Sequence, residues 1–240
     1  TFRTLLPALY SWMGDGMIEG VANLSEWYFE KFATDESSIE GLFEDYDHPN
    51  TRVTHMTVDH ELPMTFWRSV GHSYTAFAKE SMIDEMAETA GIDEVAFRLQ
   101  NTQNTPRLNN VIRVAGEHMA RMNPPEGRHL GFAAHHSFYT DVAEIAEVSV
   151  ENGKIRVHKV TCVLDCGQAV NPDIVRSQIE GGVIYGLTAT LYGGLNLERG
   201  AIKESNFHDY PMLRMNESPE IEVVIIDSGT KPTGVGEPGL

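Results

Sequence analysis

The stretch Asp141-Val142-Ala143-Glu144-Ile145-Ala146-Glu147-Val148-Ser149-Val150-Glu151-Asn152-Gly153-Lys154-Ile155-Arg156-Val157-His158-Lys159-Val160 reads as a β-hairpin. Val142, Ile145, Val148 and Val150 supply the apolar positions of its first strand. Ile155 to Val160 alternates apolar and polar. Asn152-Gly153 between them favours a type I′ turn, the connection that matches the twist of paired strands. The second strand runs on into the apolar segment Val160 to Cys166. Leu130 to Phe138 precedes the pair as a further strand. A second hairpin brackets Glu198-Arg199-Gly200, and Ile221 to Ile226 is a late strand. With the helices below, this predicts an α+β (mixed α/β) fold of twisted, mostly antiparallel sheets against long helices.

The hairpin region is followed by a strong helix start. Asn171 is a good N-cap, Pro172 suits the first helical position, and Asp173 suits the positive end of the helix dipole. Ile174, Val175, Ile179, Val183, Ile184, Leu187 and Leu191 make the helix over 171–192 apolar nearly all round, which predicts burial. Gly181, Gly182 and Gly186 lie inside it, each costing about 1 kcal/mol relative to Ala. Another element or a ligand should therefore come close to that backbone. Gln178 and Glu180 lie just ahead of these glycines.

Upstream, a helix is predicted over Tyr74–Ala90, with Ser73 as N-cap and Gly91 just past its end. Ala76, Ile83, Ala87 and Ala90 form its apolar stripe, and Glu80 falls on it either as a partly buried, paired carboxylate or, the favoured reading, as the stripe's edge. Asp93 caps a short helix over Glu94–Leu99, and Val111–Met122 forms another. Asn123-Pro124-Pro125-Glu126-Gly127 is the clearest break in the chain. It divides a first lobe, 1–125, with an acidic insertion near 24–45 and helices over 73–101, from a second lobe, 126–240. The second lobe holds the β-hairpins, the helix over 171–192 and the final loop. Near the start, Gly14-Asp15-Gly16 marks a turn, and Thr51 to Leu62 has strand character as far as Pro63.

The chain has 240 residues, 41% hydrophobic and 22% charged, in the range of globular proteins. Its formal charge of -17 argues against nucleic acid, whose phosphates it would repel. Cys162 and Cys166 are the only cysteines, too few for a disulfide scaffold, and their apolar setting predicts buried thiols. His135 and His136 would point to opposite faces of a strand, which argues against a shared metal. No apolar run reaches the ~18–20 residues of a membrane span. Neither end resembles a natural terminus, so a longer polypeptide is expected.

Two stretches look chemical. Phe66-Trp67-Arg68-Ser69-Val70-Gly71-His72-Ser73 puts an Arg at a helix N-terminus, a natural place for an anion. Gly234-Val235-Gly236-Glu237-Pro238-Gly239-Leu240 sets one carboxylate among three glycines and a proline. Glycine lets the backbone fold tightly, and Pro238 biases Glu237 toward an extended conformation. Such a backbone suits a general base, which must be aimed before it works.

In order along the chain stand Trp67-Arg68-Ser69-Val70-Gly71-His72-Ser73, Asp165-Cys166-Gly167 with Val170-Asn171-Pro172, Gln178-x-Glu180-Gly181-Gly182-x-x-x-Gly186, Ser205-Asn206-Phe207-His208-Asp209-Tyr210-Pro211 and Gly234-Val235-Gly236-Glu237-Pro238. Together they resemble the large subunit of molybdenum hydroxylases of the xanthine dehydrogenase family. Within it the chain is most similar to the isoquinoline 1-oxidoreductase beta-subunit type, also described as a membrane-bound aldehyde dehydrogenase large subunit. The likeness runs from about Asp15 to the end, apart from the acidic run. It implies a molybdopterin-binding-domain-like fold and a molybdopterin cofactor, plain or in its cytosine dinucleotide form. Glu237 then matches the general base that takes the Mo–OH proton as the oxygen attacks an electron-poor carbon and hydride passes to Mo=S. Arg68, Gln178 and Gly236 match cofactor-contacting positions, and Val70 and Trp67 match the substrate pocket. No residue of this chain is expected to ligate the metal directly.

The family's Gly-Gln-Gly and Gly-Gly-x-Phe-Gly cofactor loops do not occur in these 240 residues. The implied partners are an N-terminal half of the same subunit and a small-molecule substrate, an N-heterocycle or an aldehyde. The resemblance also implies a separate small iron–sulfur subunit with the [2Fe–2S] clusters, since the Cys₄ sets they need are absent here. The chain alone is expected to bind no cofactor tightly and to be inactive. The competing reading is a non-catalytic binding or assembly module of the same fold. The compartment, periplasmic or cytoplasmic in a bacterium, is left open.

Overall fold

The computed structural model describes residues 41, 42, 45–50 and 67–240. The turn at Gly14–Gly16, most of the acidic run and the strand expected over Thr51–Leu62 lie outside the described residues. The described elements are α1 (His72–Ala90), α2 (Glu94–Gln100), α3 (Pro106–Met119), β1 (Arg128–Ser137), β2 (Thr140–Glu151), β3 (Lys154–Asp165), α4 (Pro172–Tyr192), β4 (Leu197–Glu198), β5 (Ala201–Ile202) and β6 (Glu220–Ile226).

β1, β2, β3 and β6 form one sheet in that order. The first two pairings are antiparallel, and β6 runs parallel to β3. The α+β fold with mostly antiparallel strands is therefore present. Asn152 and Gly153 both take positive φ, 52° and 76°, as a type I′ turn requires. Arg199 and Gly200 do the same between β4 and β5.

β3 is buried almost throughout its second half because both of its faces are covered. On one face Leu108, Val111, Ile112 and Ala115 of α3 pack against Phe132, Ala134, Ala143, Ile145 and Val163. On the other, Val175, Ile179 and Val183 of α4 pack against Val142, Val160, Cys162 and Leu164. Burying each such aliphatic side chain contributes about 1.5–3 kcal/mol before entropy is counted. Both cysteines are free and buried.

α3 differs from expectation at both ends. It begins at Pro106, because proline serves as its first residue after Thr105, and it stops at Met119. α2 matches its prediction, with Asp93 accepting from Val95 N and Ala96 N.

Glu80 is not a stripe edge but the buried, paired carboxylate of the alternative reading. It is 5% exposed and accepts three hydrogen bonds, from Tyr46 Oη at 2.7 Å, Arg98 Nε at 2.9 Å and Ala134 N at 2.8 Å. The last explains the burial. Among the described residues β1 is an edge strand, and its amide at Ala134 needs an acceptor once covered by α1. Asp45 plays the same part toward His136 N at 3.4 Å.

Candidate active site

The loop entering α1 is a tight turn, with Val70 N donating to Trp67 O at 3.0 Å. Ser69 and Val70 both take positive φ, 70° and 47°. That region costs a non-glycine residue about 1–2 kcal/mol, and a β-branched valine is among the least suited to it. Ser73 is not the N-cap. The helix begins at His72 with Gly71 at the cap, and Ser73 Oγ donates back to Val70 O at 2.8 Å. Its hydroxyl thereby braces the turn.

The carboxyl-terminal segment leaves β6 and crosses the ends of the other strands. Gln168 N donates to Thr230 O and Thr233 N to Cys166 O. Thr140 Oγ1 donates to Gly234 O at 2.7 Å and lies 2.7 Å from Thr233 Oγ1. The segment then lies on α4. A methyl group built on Gly182 would meet Gly239 O at 2.7 Å, and one on Gly186 would meet Leu240 C at 3.2 Å. Of the two expected neighbours, another element or a ligand, the glycine notch in α4 thus seats the chain's own final loop. The expected all-round burial of this helix is also corrected. Val175, Ile179, Gly182 and Val183 are buried, whereas Ile174, Gln178 and Tyr185 are exposed. One face meets the sheet and the final loop, and the other carries no described element. Replacing Gly182 with Ala should push this loop outward, costing about 1–3 kcal/mol by overpacking. A lowered thermal midpoint checks it, and an unchanged midpoint contradicts the fit.

Three separate stretches meet here. Arg68 Nε donates to Gly236 O at 2.6 Å and Nη2 to Gln178 O at 3.2 Å. Ser69 Oγ donates to Glu237 O at 2.7 Å. A methyl on Gly236 would lie 3.6 Å from Gln178 Oε1. Trp67 packs on Tyr185, ring centroids 4.9 Å apart, and Arg68 lies over the same Tyr185 ring at 5.9 Å. Glu237 Oε2 is buried and finds no hydrogen-bond partner among the described residues. Burial raises the Glu237 pKa above the usual carboxylate value, and the Arg68 guanidinium and the Ser69 main-chain amide partly offset this.

The structure thus brings Trp67, Arg68, Val70, Gln178, Gly236 and Glu237 to one junction of the 67–71 turn, α4 and the final loop. Sequence reading gave Ser69 no role and passed over Tyr185. Tyr185 follows Gln178 by seven residues, two helical turns, so spacing could have placed both on one face. An unpaired buried carboxylate oxygen beside an exposed glutamine amide fits a polar cofactor or substrate better than a closed core does. His135 and His136 go to different neighbours: His135 Nδ1 lies 3.1 Å from Asp45 Oδ2, and His136 Nδ1 lies 2.8 Å from Asp141 Oδ1. Among the described residues no cluster of three or more His, Cys, Asp or Glu could hold a metal ion.

Two family models, both described as a molybdopterin cofactor-binding domain, match residues 68–219 and 26–102. The beta chain of isoquinoline 1-oxidoreductase from Brevundimonas diminuta is 33% identical over 92% of this chain, which spans 29% of that protein. A nicotinate dehydrogenase subunit of Pseudomonas putida is 29% identical over 80% of the chain and 18% of its own length. Membrane-bound aldehyde dehydrogenase of Gluconacetobacter polyoxogenes is 28% identical over 72% of the chain and 25% of its own length. The chain therefore spans less than a third of these relatives. Aldehyde oxidoreductase from Desulfovibrio gigas superposes with a TM-score of 0.58 at 12% identity, over 72% of this chain and 38% of that one, a likeness of fold alone. With a family model covering most of its length, the chain belongs to the molybdopterin cofactor-binding domains of the molybdenum hydroxylase large subunits.

Proposed function

We propose that the chain is part of the molybdopterin-binding catalytic subunit of an oxidoreductase that hydroxylates N-heterocycles or oxidises aldehydes, with Glu237 as its general base. The observation that carries this reading is the buried, unpaired Oε2 of Glu237, on a loop held by Arg68 and by the glycine notch of α4. A buried carboxylate oxygen left without a partner is costly unless a ligand or a proton comes to it. The bound cofactor, plain or in its cytosine dinucleotide form, would supply the oxygen-transfer and two-electron chemistry. The chain's own groups bind and aim. Gln178 offers its exposed amide and Gly236 its main chain to the pterin. Arg68 fixes both of these by bonding their carbonyls. Trp67 and Val70 line the substrate side. Glu237 takes up the proton that hydroxylation releases.

The names of the relatives favour a small heteroaromatic or aldehyde substrate. Cys162 and Cys166 are both buried in or beside β3, so iron–sulfur clusters would belong to a separate small subunit. The remaining large-subunit sequence would complete the cofactor site.

The pH dependence of kcat/KM in the full-length, cofactor-loaded enzyme tests the assignment. A base must be ionised, so activity should fall as pH drops through the Glu237 pKa. Burial places that acid limb above the ordinary value of 4.5. A limb at or below 4.5 would count against Glu237 as the base.

A further inference from the structure

We propose that Ser69 is a positioning residue: its hydroxyl latches the main chain at Glu237 and so holds the Glu237 carboxylate in its buried seat. The inference rests on the reading of Glu237 as the base. Ser69 is 3% exposed, so its Oγ needs a partner inside the protein, and that partner is Glu237 O at 2.7 Å. The bond joins residues 168 positions apart, so it ties the 67–71 turn to the final loop.

The turn is bent for this purpose. Ser69 and Val70 both hold left-handed backbone angles. Strained residues of this kind persist only where surrounding contacts fix them, and here three contacts do so. Arg68 Nε grips Gly236 O, Ser69 Oγ grips Glu237 O, and Ser73 Oγ grips Val70 O. On its other side the final loop rests in the glycine notch through Gly239. Notch and latch thus hold the loop from opposite sides of Glu237. Pro238 follows directly and biases the Glu237 backbone toward an extended conformation.

The test uses the full-length, cofactor-loaded enzyme carrying Ser69→Ala, which removes the latch and keeps the side-chain bulk near the backbone. Ser69→Gly is the second variant, because glycine adopts the same φ without strain and guards against misfolding. Amide hydrogen exchange over residues 234–240 should quicken about tenfold in both, as expected for one lost hydrogen bond. kcat should fall about ten- to a hundredfold with KM within about twofold, because a small misplacement of a reacting group is that costly. Molybdenum content should be unchanged. Adding Glu237→Gln should abolish the further effect, since Ser69 acts through that carboxylate. Unchanged exchange over 234–240 in both variants overturns the proposal, as does a Ser69→Ala loss that persists undiminished beside Glu237→Gln. If Glu237→Gln alone keeps activity, the reading of Glu237 as base fails, and the latch is still decided by the exchange data.

Discussion

Replacing Glu237 by Gln in the full-length, cofactor-loaded enzyme should lower kcat about 10²–10⁴-fold while molybdenum content and KM change little. Gln keeps the length and hydrogen-bonding capacity of Glu but cannot take up a proton at neutral pH. Losing a positioned general base costs a rate factor of that size. The structural cost should be small for a specific reason. The loop is held through its main chain, by Arg68 on Gly236 O, Ser69 on Glu237 O and Gly239 in the notch of α4. None of these contacts uses the carboxylate, so the amide can occupy the same place. Activity within about tenfold of the parent would remove Glu237 from the chemistry.

Local chemistry made much of the fold legible. The Asn152-Gly153 turn, the Asn171-Pro172-Asp173 helix start and the Asp93 cap each depend on neighbours a few residues away, and all three occur as read. The hairpin of β2 and β3 followed from period-two patterning around one of them. What failed depended on distant partners. Glu80 looked like a stripe edge because its three donors lie on Tyr46, Arg98 and β1. The glycines of α4 announced a close approach, but their own composition could not say that Gly239 and Leu240 make it. An apolar helix surface likewise promised burial, although among the described residues only the sheet, the final loop and the 67–71 turn cover it. For the site, the motif residues named the junction, while Ser69 stayed silent because a hydroxyl bonded to a backbone carbonyl leaves no pattern in sequence.

The second large effect lies away from the chemistry, in the support beneath it. Arg98 is fully buried and pairs with Glu80 at 2.9 Å and with Asp84 at 2.7 Å, its guanidinium 5.4 Å from the Phe132 ring. Arg98→Met should lower unfolding stability by about 3–5 kcal/mol, because the Glu80 carboxylate is left buried without its countercharge. Chemical denaturation should show a shifted midpoint at unchanged slope. The double variant Glu80→Gln with Arg98→Met should regain part of that loss, since it removes the stranded charge as well. Glu80 also satisfies the Ala134 amide on β1 and sits on α1, whose first turn carries the 67–71 loop. The same substitution should therefore loosen the placement of Arg68 and Ser69 against the final loop, lowering activity at temperatures where the protein is still folded. A midpoint shift below about 1 kcal/mol would mean that water already reaches Glu80, and that α1 is anchored to β1 by packing alone.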